Sequence, residues 1–197
     1  MIGNIKFLST DVNSLAVDKR EALRYLGATK SDEALDAMYE EGLAQVKSAA
    51  EPRAAYVRVK IDVSEDTVDF GFMSVKSCAL AKNLKECHEA FVFCATLGIG
   101  VDRYFERLTR VSQAKAAVFS AVASSTIESF CDYVNDTLKE GVLTRPRFSC
   151  GYGDFCIEHQ SDILKALDAS KHLGVCLTDS FMMVPVKTVT AIIGIRR

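Results

Sequence analysis

Apolar positions change their period several times along the first third of the chain. Leu35, Met38, Tyr39, Gly42 and Val46 recur at three and four, which predicts a helix with one inward face. Ser31 is the expected cap, Asp32 and Glu33 fall in the first turn where carboxylates suit the helix dipole, and Pro52 ends the pattern. A shorter helix is expected over residues 18–26, closed by Gly27. From Ala55 the period drops to two. Ala55, Val57, Val59, Ile61 and Val63 alternate with Tyr56, Arg58, Lys60 and Asp62, as a half-buried strand requires. After a turn at 64–67, Val68, Phe70 and Phe72 repeat the alternation, so the two runs read as a hairpin.

Residues 77–87 read as helix. Residues 90–97 form an unbroken apolar run, the pattern of a central strand buried on both faces, and Gly98-Ile99-Gly100 leads from it into a helix over 101–108. The longest element is expected over 112–139, with Phe119, Ala123, Ile127, Phe130, Val134 and Leu138 as its stripe. The alanines and serines between Ala114 and Ser125 predict close packing against a neighbour. After Gly141, residues 145–154 are irregular, 158–169 read as helix and 188–195 as a closing strand. Helices and strands mixed with a hairpin predict an α+β fold: a mixed, largely antiparallel sheet flanked by helices. One domain over residues 1–197 is the simplest organisation at this length.

Composition narrows the partners. A formal net charge of -2 supplies no basic field for nucleic acid or an anionic membrane. No apolar run has the length of a membrane span, and residues 1–10 lack a signal-peptide pattern. The seven cysteines are irregularly spaced and odd in number, against a secreted disulfide framework and in favour of a reducing, cytoplasmic setting. With no Cys-x-x-Cys pair and three scattered histidines, no dedicated metal site is expected.

Four features carry candidate chemistry. Gly98-Ile99-Gly100 lacks the third glycine and the following acidic residue of a dinucleotide fingerprint, which leaves a tight strand-to-helix turn. Cys150 follows Arg147 and has Cys156 and His159 nearby; it is either a buried structural thiol or a nucleophile activated by its cationic neighbour. In the loop 144–154, Pro146 fixes its own φ, two glycines allow close approach of main chain, Arg147 offers a fork for a carboxylate, and Tyr152 offers a flat face with a polar tip. The loop is thus either a grip for a small molecule bearing a carboxylate and a ring, or a surface loop with an incidental ion pair. Glu128, beside the stripe of the long helix, either faces solvent or supplies a counter-charge for an ammonium or sulfonium.

At this loop the sequence resembles the reactivation domain of cobalamin-dependent methionine synthase. The family's Arg-x-x-x-Gly-Tyr stretch is matched by Arg147-Phe148-Ser149-Cys150-Gly151-Tyr152. Lys171-His172-Leu173-Gly174 follows in order, and Leu177-Thr178-Asp179-Ser180-Phe181-Met182-Met183-Val184-Pro185 is similar to the family's Leu-Thr-Glu-Ser-Phe-x-Met-x-Pro. Upstream, Ile127-Glu128-Ser129-Phe130 falls where the family's long helix carries Ala-Glu-Ala-Phe. The C-terminal third matches well, the long helix fairly, and the first hundred residues loosely. The stretch after Tyr152 differs in length from the family's, and the family's fusion enzyme continues past its last strand with a segment that lends an aromatic residue to the site.

The resemblance implies a methionine synthase activation domain-like fold and binding of S-adenosylmethionine beside a corrinoid, with the protein contributing positioning and electrostatics rather than acid–base catalysis. Carried over by residue, Arg147 would hold the methionyl carboxylate, the backbone around Ser149 and Gly151 would meet the adenine, Tyr152 would shape the pocket, and Glu128 would face the positive end of the ligand. The sequence holds no Asp-x-His-x-x-Gly cobalamin motif, so cobalamin is expected on a partner: a methionine synthase lacking its own reactivation domain, or another corrinoid methyltransferase. The chain is then a component of a methyltransferase system rather than an independent catalyst. Two alternatives stand beside this reading: a corrinoid-protein interaction module of the same fold without ligand binding, and a thiol-based redox or metal protein using Cys150 and Cys156.

Overall fold

The computed structural model describes residues 3–196. Strand β1 (Lys6–Ser9) and helix α1 (Lys19–Tyr25) lead to α2 (Glu33–Ala49) and the strand β2 (Arg53–Lys60). Three short strands, β3 (Asp62–Val63), β4 (Thr67–Asp69) and β5 (Ser74–Lys76), precede α3 (Cys78–Asn83) and the ten-residue strand β6 (Cys87–Thr96). Then come α4 (Ile99–Thr109), α5 (Gln113–Lys139), β7 (Leu143–Thr144), α6 (Gln160–Ala166) and α7 (Ala169–Leu173). The small pair β8 (Cys176–Leu177) and β9 (Met183–Val184) and the long β10 (Thr188–Arg196) complete the chain. The main sheet runs β1-β2-β6-β10-β7, and each neighbouring pair is antiparallel.

Both faces of the sheet are covered, and this explains the apolar run in β6. Phe91, Phe93 and Ala95 point to the layer of α1, α2, α4 and α5, while Ala90, Val92 and Cys94 point to the layer of α3, α6, α7 and the satellite sheet. Strand side chains alternate between faces, so a strand covered twice loses its polar positions. Fully burying a side chain such as Phe93 or Phe119 contributes about 1.5–3 kcal/mol. The α+β fold with a curled antiparallel sheet flanked by helices is therefore as the patterning predicts.

Several local expectations shift. Asp32, not Ser31, caps α2: its carboxylate accepts from Leu35 N at 2.8 Å, and Ser31 instead donates to Asp36. The hairpin is confined to β3 and β4, because β2 pairs with β1 and β6 in the main sheet. The helix expected over 77–87 stops at Asn83, and a turn over 84–86 leads into β6 at Cys87. The helix expected over 158–169 is broken by Asp168, whose left-handed backbone (φ 45°) separates α6 from α7. The last strand lies inside the sheet, between β6 and β7.

The small residues of α5 do let its neighbours come close. Ser125 Oγ donates to Asp18 O at 2.9 Å and Ser129 Oγ to Ala16 O at 3.0 Å, which ties the segment before α1 onto α5. At the other end of the layer, a Cβ on Gly100 would stand 2.3 Å from Ala49 O, so this glycine lets the end of α2 pack directly on the start of α4. No described helix is long and apolar enough to cross a membrane.

Candidate functional site

The loop after β7 is laid along β10 by main-chain bonds. Arg145 N donates to Gly194 O at 2.8 Å, and Phe148 and Ile192 exchange two N–H···O bonds of 2.9 Å. From there the chain folds back on itself: Tyr152 N donates to Ser149 O at 3.2 Å and Gly151 N to Phe155 O at 2.7 Å. Gly151 takes φ 88°, a region closed to most side chains, and this is what the glycine is for. Asp154 pins the far end of the loop. Its carboxylate accepts from Cys78 N at 2.8 Å, Ala79 N at 3.1 Å and the Ser77 hydroxyl, so it caps α3 from a distance. The Ser77 hydroxyl and those amides hold the Asp154 carboxyl below the usual aspartate range.

With its ends fixed, the loop presents Arg147 to α5. Arg147 Nη2 pairs with Glu128 Oε2, and Nη1 reaches Asp132 Oδ1 at 3.2 Å. Glu128 and Asp132 are four apart on the helix and share a face, which is how one guanidinium meets both. The Arg147 and Glu128 side chains are 23% and 27% exposed, so the pair is half-buried. Burial pushes the Glu128 carboxyl above the usual glutamate range; Arg147 opposes this, and Glu21 and Asp132 reinforce it. Two of the five guanidinium N–H donors are engaged by these carboxylates.

An open cleft of about 370 Å³ lies beside this pair. That is within the roughly 300–1,000 Å³ of small-molecule sites. Glu128, Arg147, Ser149 and Tyr152 all line it, whereas Gly151 lies outside the lining with its N–H committed to Phe155. The opposite wall comes from the segment between β8 and β10, with Met182 and Val186 as exposed apolar surface. Thr178 holds that wall, accepting from Phe181 N at 3.0 Å through its carbonyl and from Met182 N at 3.1 Å through its hydroxyl. Asp102 on α4 holds its far end by accepting from Val186 N at 2.8 Å.

Four contributors were not singled out as site residues from sequence. Asp132 completes the grip on Arg147; its spacing of four from Glu128 is the signal that could have found it. Gln160, buried at the cleft floor and donating to Phe181 O at 3.2 Å, carries no such signal. Met182 and Val186 belong to a stretch whose apolar residues flank Pro185 without helical or strand period.

Cys150 also lines the cleft, but its thiol is buried and pushed up to about 12, so it stays protonated at neutral pH. Cys156 is exposed and unpaired. Among the described residues, no group of three His, Cys, Asp or Glu side chains is placed to hold a metal ion. A cation, a carboxylate, a flat phenol and apolar wall residues around one open cleft, with Asp132 as the cation's second partner, suit a zwitterionic ligand with an aromatic portion.

No protein-family model matches this chain, and no curated protein matches it in sequence. Among solved structures it is similar to the crystal structure of the MetH Reactivation Domain bound to AdoHcy, with a TM-score of 0.69 and 12% identity, over 98% of this chain and 78% of that one. At that identity the likeness is one of fold: the chain has the architecture of that reactivation domain.

Proposed function

We propose that this chain binds S-adenosylmethionine in the Arg147–Glu128 cleft and acts as a reactivation module for a corrinoid methyltransferase. The partner would be a cobalamin-dependent methionine synthase lacking its own reactivation domain, or another corrinoid protein. The observation that supports it most is the meeting of Arg147, Glu128, Ser149 and Tyr152 at one cleft, on a fold that matches the AdoHcy-bound reactivation domain over 98% of this chain.

The residues fit such a ligand. Arg147 would receive the methionyl carboxylate on donors left over from Glu128 and Asp132. Those two carboxylates and one guanidinium leave the site with one formal negative charge, which suits a ligand carrying ammonium and sulfonium groups. Ser149 and Tyr152 line the part of the cleft where the adenosyl group would lie. The corrinoid would supply the nucleophile that accepts the methyl group, and this chain would bind, orient and exclude water.

A second reading keeps the fold as an interaction module without ligand. The specific observation in its favour is that Arg147 already has two carboxylate partners, Glu128 and Asp132. Calorimetric titration of S-adenosylmethionine into the purified protein separates the two. Saturable binding, weakened by about 1–3 kcal/mol in Arg147→Ala, is expected from loss of a charge-assisted contact. Absence of binding, both alone and with the corrinoid partner added, would leave only the interaction module.

A further inference from the structure

A second cleft, of about 400 Å³, lies beside the first where α1, α4 and α5 meet. Ala116, Ala117 and Ala121 form part of its lining, and the exposed aromatic rings of Tyr25 and Phe105 stand beside them. Its polar edge is made by Ser120, Ser124 and Gln113, the last donating through Nε2 to Thr109 O at 3.0 Å. Ser124 is one helical turn before Glu128, so the two clefts share one face of α5.

Behind those serines sits Lys187, the residue before β10. Its Nζ donates to Ser124 Oγ at 2.8 Å and to Ser120 Oγ at 3.2 Å. An ammonium has three donors, and among the described residues Lys187 forms no salt bridge to take the third. Ser124 uses its own proton on Ser120 O at 3.0 Å, while the Ser120 hydroxyl proton finds no acceptor among the described residues. Asp102 is the carboxylate whose charge acts on Lys187, and it is engaged with Val186 N. Lys187 is thus a half-buried cation whose bonded neighbours are the hydroxyl dipoles of two serines that line the cleft; its own third donor and the Ser120 hydroxyl proton are both unused. Burial lowers the Lys187 ammonium from its ordinary value, as expected for a charge that no bonded anion offsets.

We propose that this second cleft binds a small molecule combining a flat ring with a carboxylate or phosphate, the anion on the Ser120 hydroxyl with the Lys187 ammonium behind it and the ring between Tyr25 and Phe105. The site stands apart from the Arg147 cleft and does not rest on the function proposed for that cleft. Glu128, one turn along α5, repels an anion and fixes the ligand's polarity, with its anionic end at Lys187. Asp102 opposes the same anion, which favours a ligand whose ring adds contact to its charge.

The test is titration of the full chain with phenyl phosphate, benzoate and inorganic phosphate, followed by the backbone amide resonances of Ala117, Ser120 and Ser124. Saturable shifts at these amides are expected for one of the two aromatic anions, which also identifies the preferred anion, with inorganic phosphate weaker. Lys187→Met should weaken that binding at least roughly tenfold, about 1.4 kcal/mol. Lys187→Arg should retain it, and Arg147→Ala should leave it unchanged. If none of the three probes shifts these amides saturably, or if Lys187→Met binds as well as wild type, Lys187 is a structural strut between β10 and α5 and the proposal fails. Shifts abolished by Arg147→Ala would likewise overturn it, by placing the probe in the first cleft.

Discussion

Arg147 and Glu128, nineteen positions apart, meet as a half-buried ion pair where the loop after β7 crosses α5. Neither side chain is sufficient alone. Without Arg147 the helix carries two carboxylates four residues apart with no cation; without Glu128 the guanidinium keeps only an exposed aspartate. A double-mutant cycle with Arg147→Ala and Glu128→Ala should therefore show a coupling of about 0.5–3 kcal/mol in chemical denaturation. A coupling near zero would mean that the pair is solvated and that the loop is held by its main-chain bonds alone.

Asp154 gives a pH signature. Its folded value is depressed below the ordinary 3.8, so it stabilises the fold above that value, and the contribution is lost as pH falls through the depressed one. Asp154→Ala should melt at a lower temperature than wild type at neutral pH. The difference should shrink below pH 3.8 as the wild-type carboxylate takes up a proton. A difference that persists unchanged into strong acid would count against the capping role.

Gly100 tests the packing of α4 on α2. A Cβ there meets Ala49 O at 2.3 Å, a backbone atom that cannot rotate away. Gly100→Ala should cost about 1–3 kcal/mol by overpacking, although alanine is the better helix former. Thermal unfolding of this single variant decides whether the close approach or helix propensity wins.

The buried thiols bear on the redox alternative. Cys78, Cys156 and Cys176 are exposed, while Cys150 is pushed up to about 12 by burial. A thiol reagent at pH 8 should modify the three exposed cysteines in the native protein and reach Cys150 only on unfolding. Rapid labelling of Cys150 in the native state would revive a nucleophilic role for it.

Much of the fold is legible locally. The period of two in β2, the double-sided apolar run of β6 and the three-and-four stripe of α5 each report which faces are covered, because burial acts on every turn or pleat in the same way. The misplaced cap at Ser31 and the merged helix over 158–169 show where this ends. Two polar residues in sequence compete for one cap, and a single left-handed residue at Asp168 breaks a helix without breaking its apolar pattern.

By itself the sequence determined the longer elements, the antiparallel α+β class and the loop with Arg147, its two glycines and Tyr152, since these follow from periodicity and from residue types in order; Ser149 was reached only through the family resemblance. Only the tertiary structure decided that β10 lies inside the sheet, that Glu128 and Asp132 both face Arg147, and that Lys187 ends against Ser120 and Ser124. Those outcomes depend on which strands pair and on the rotation of α5 over the sheet. Both are set by the packing of many distant side chains at once, and no short stretch of sequence encodes them.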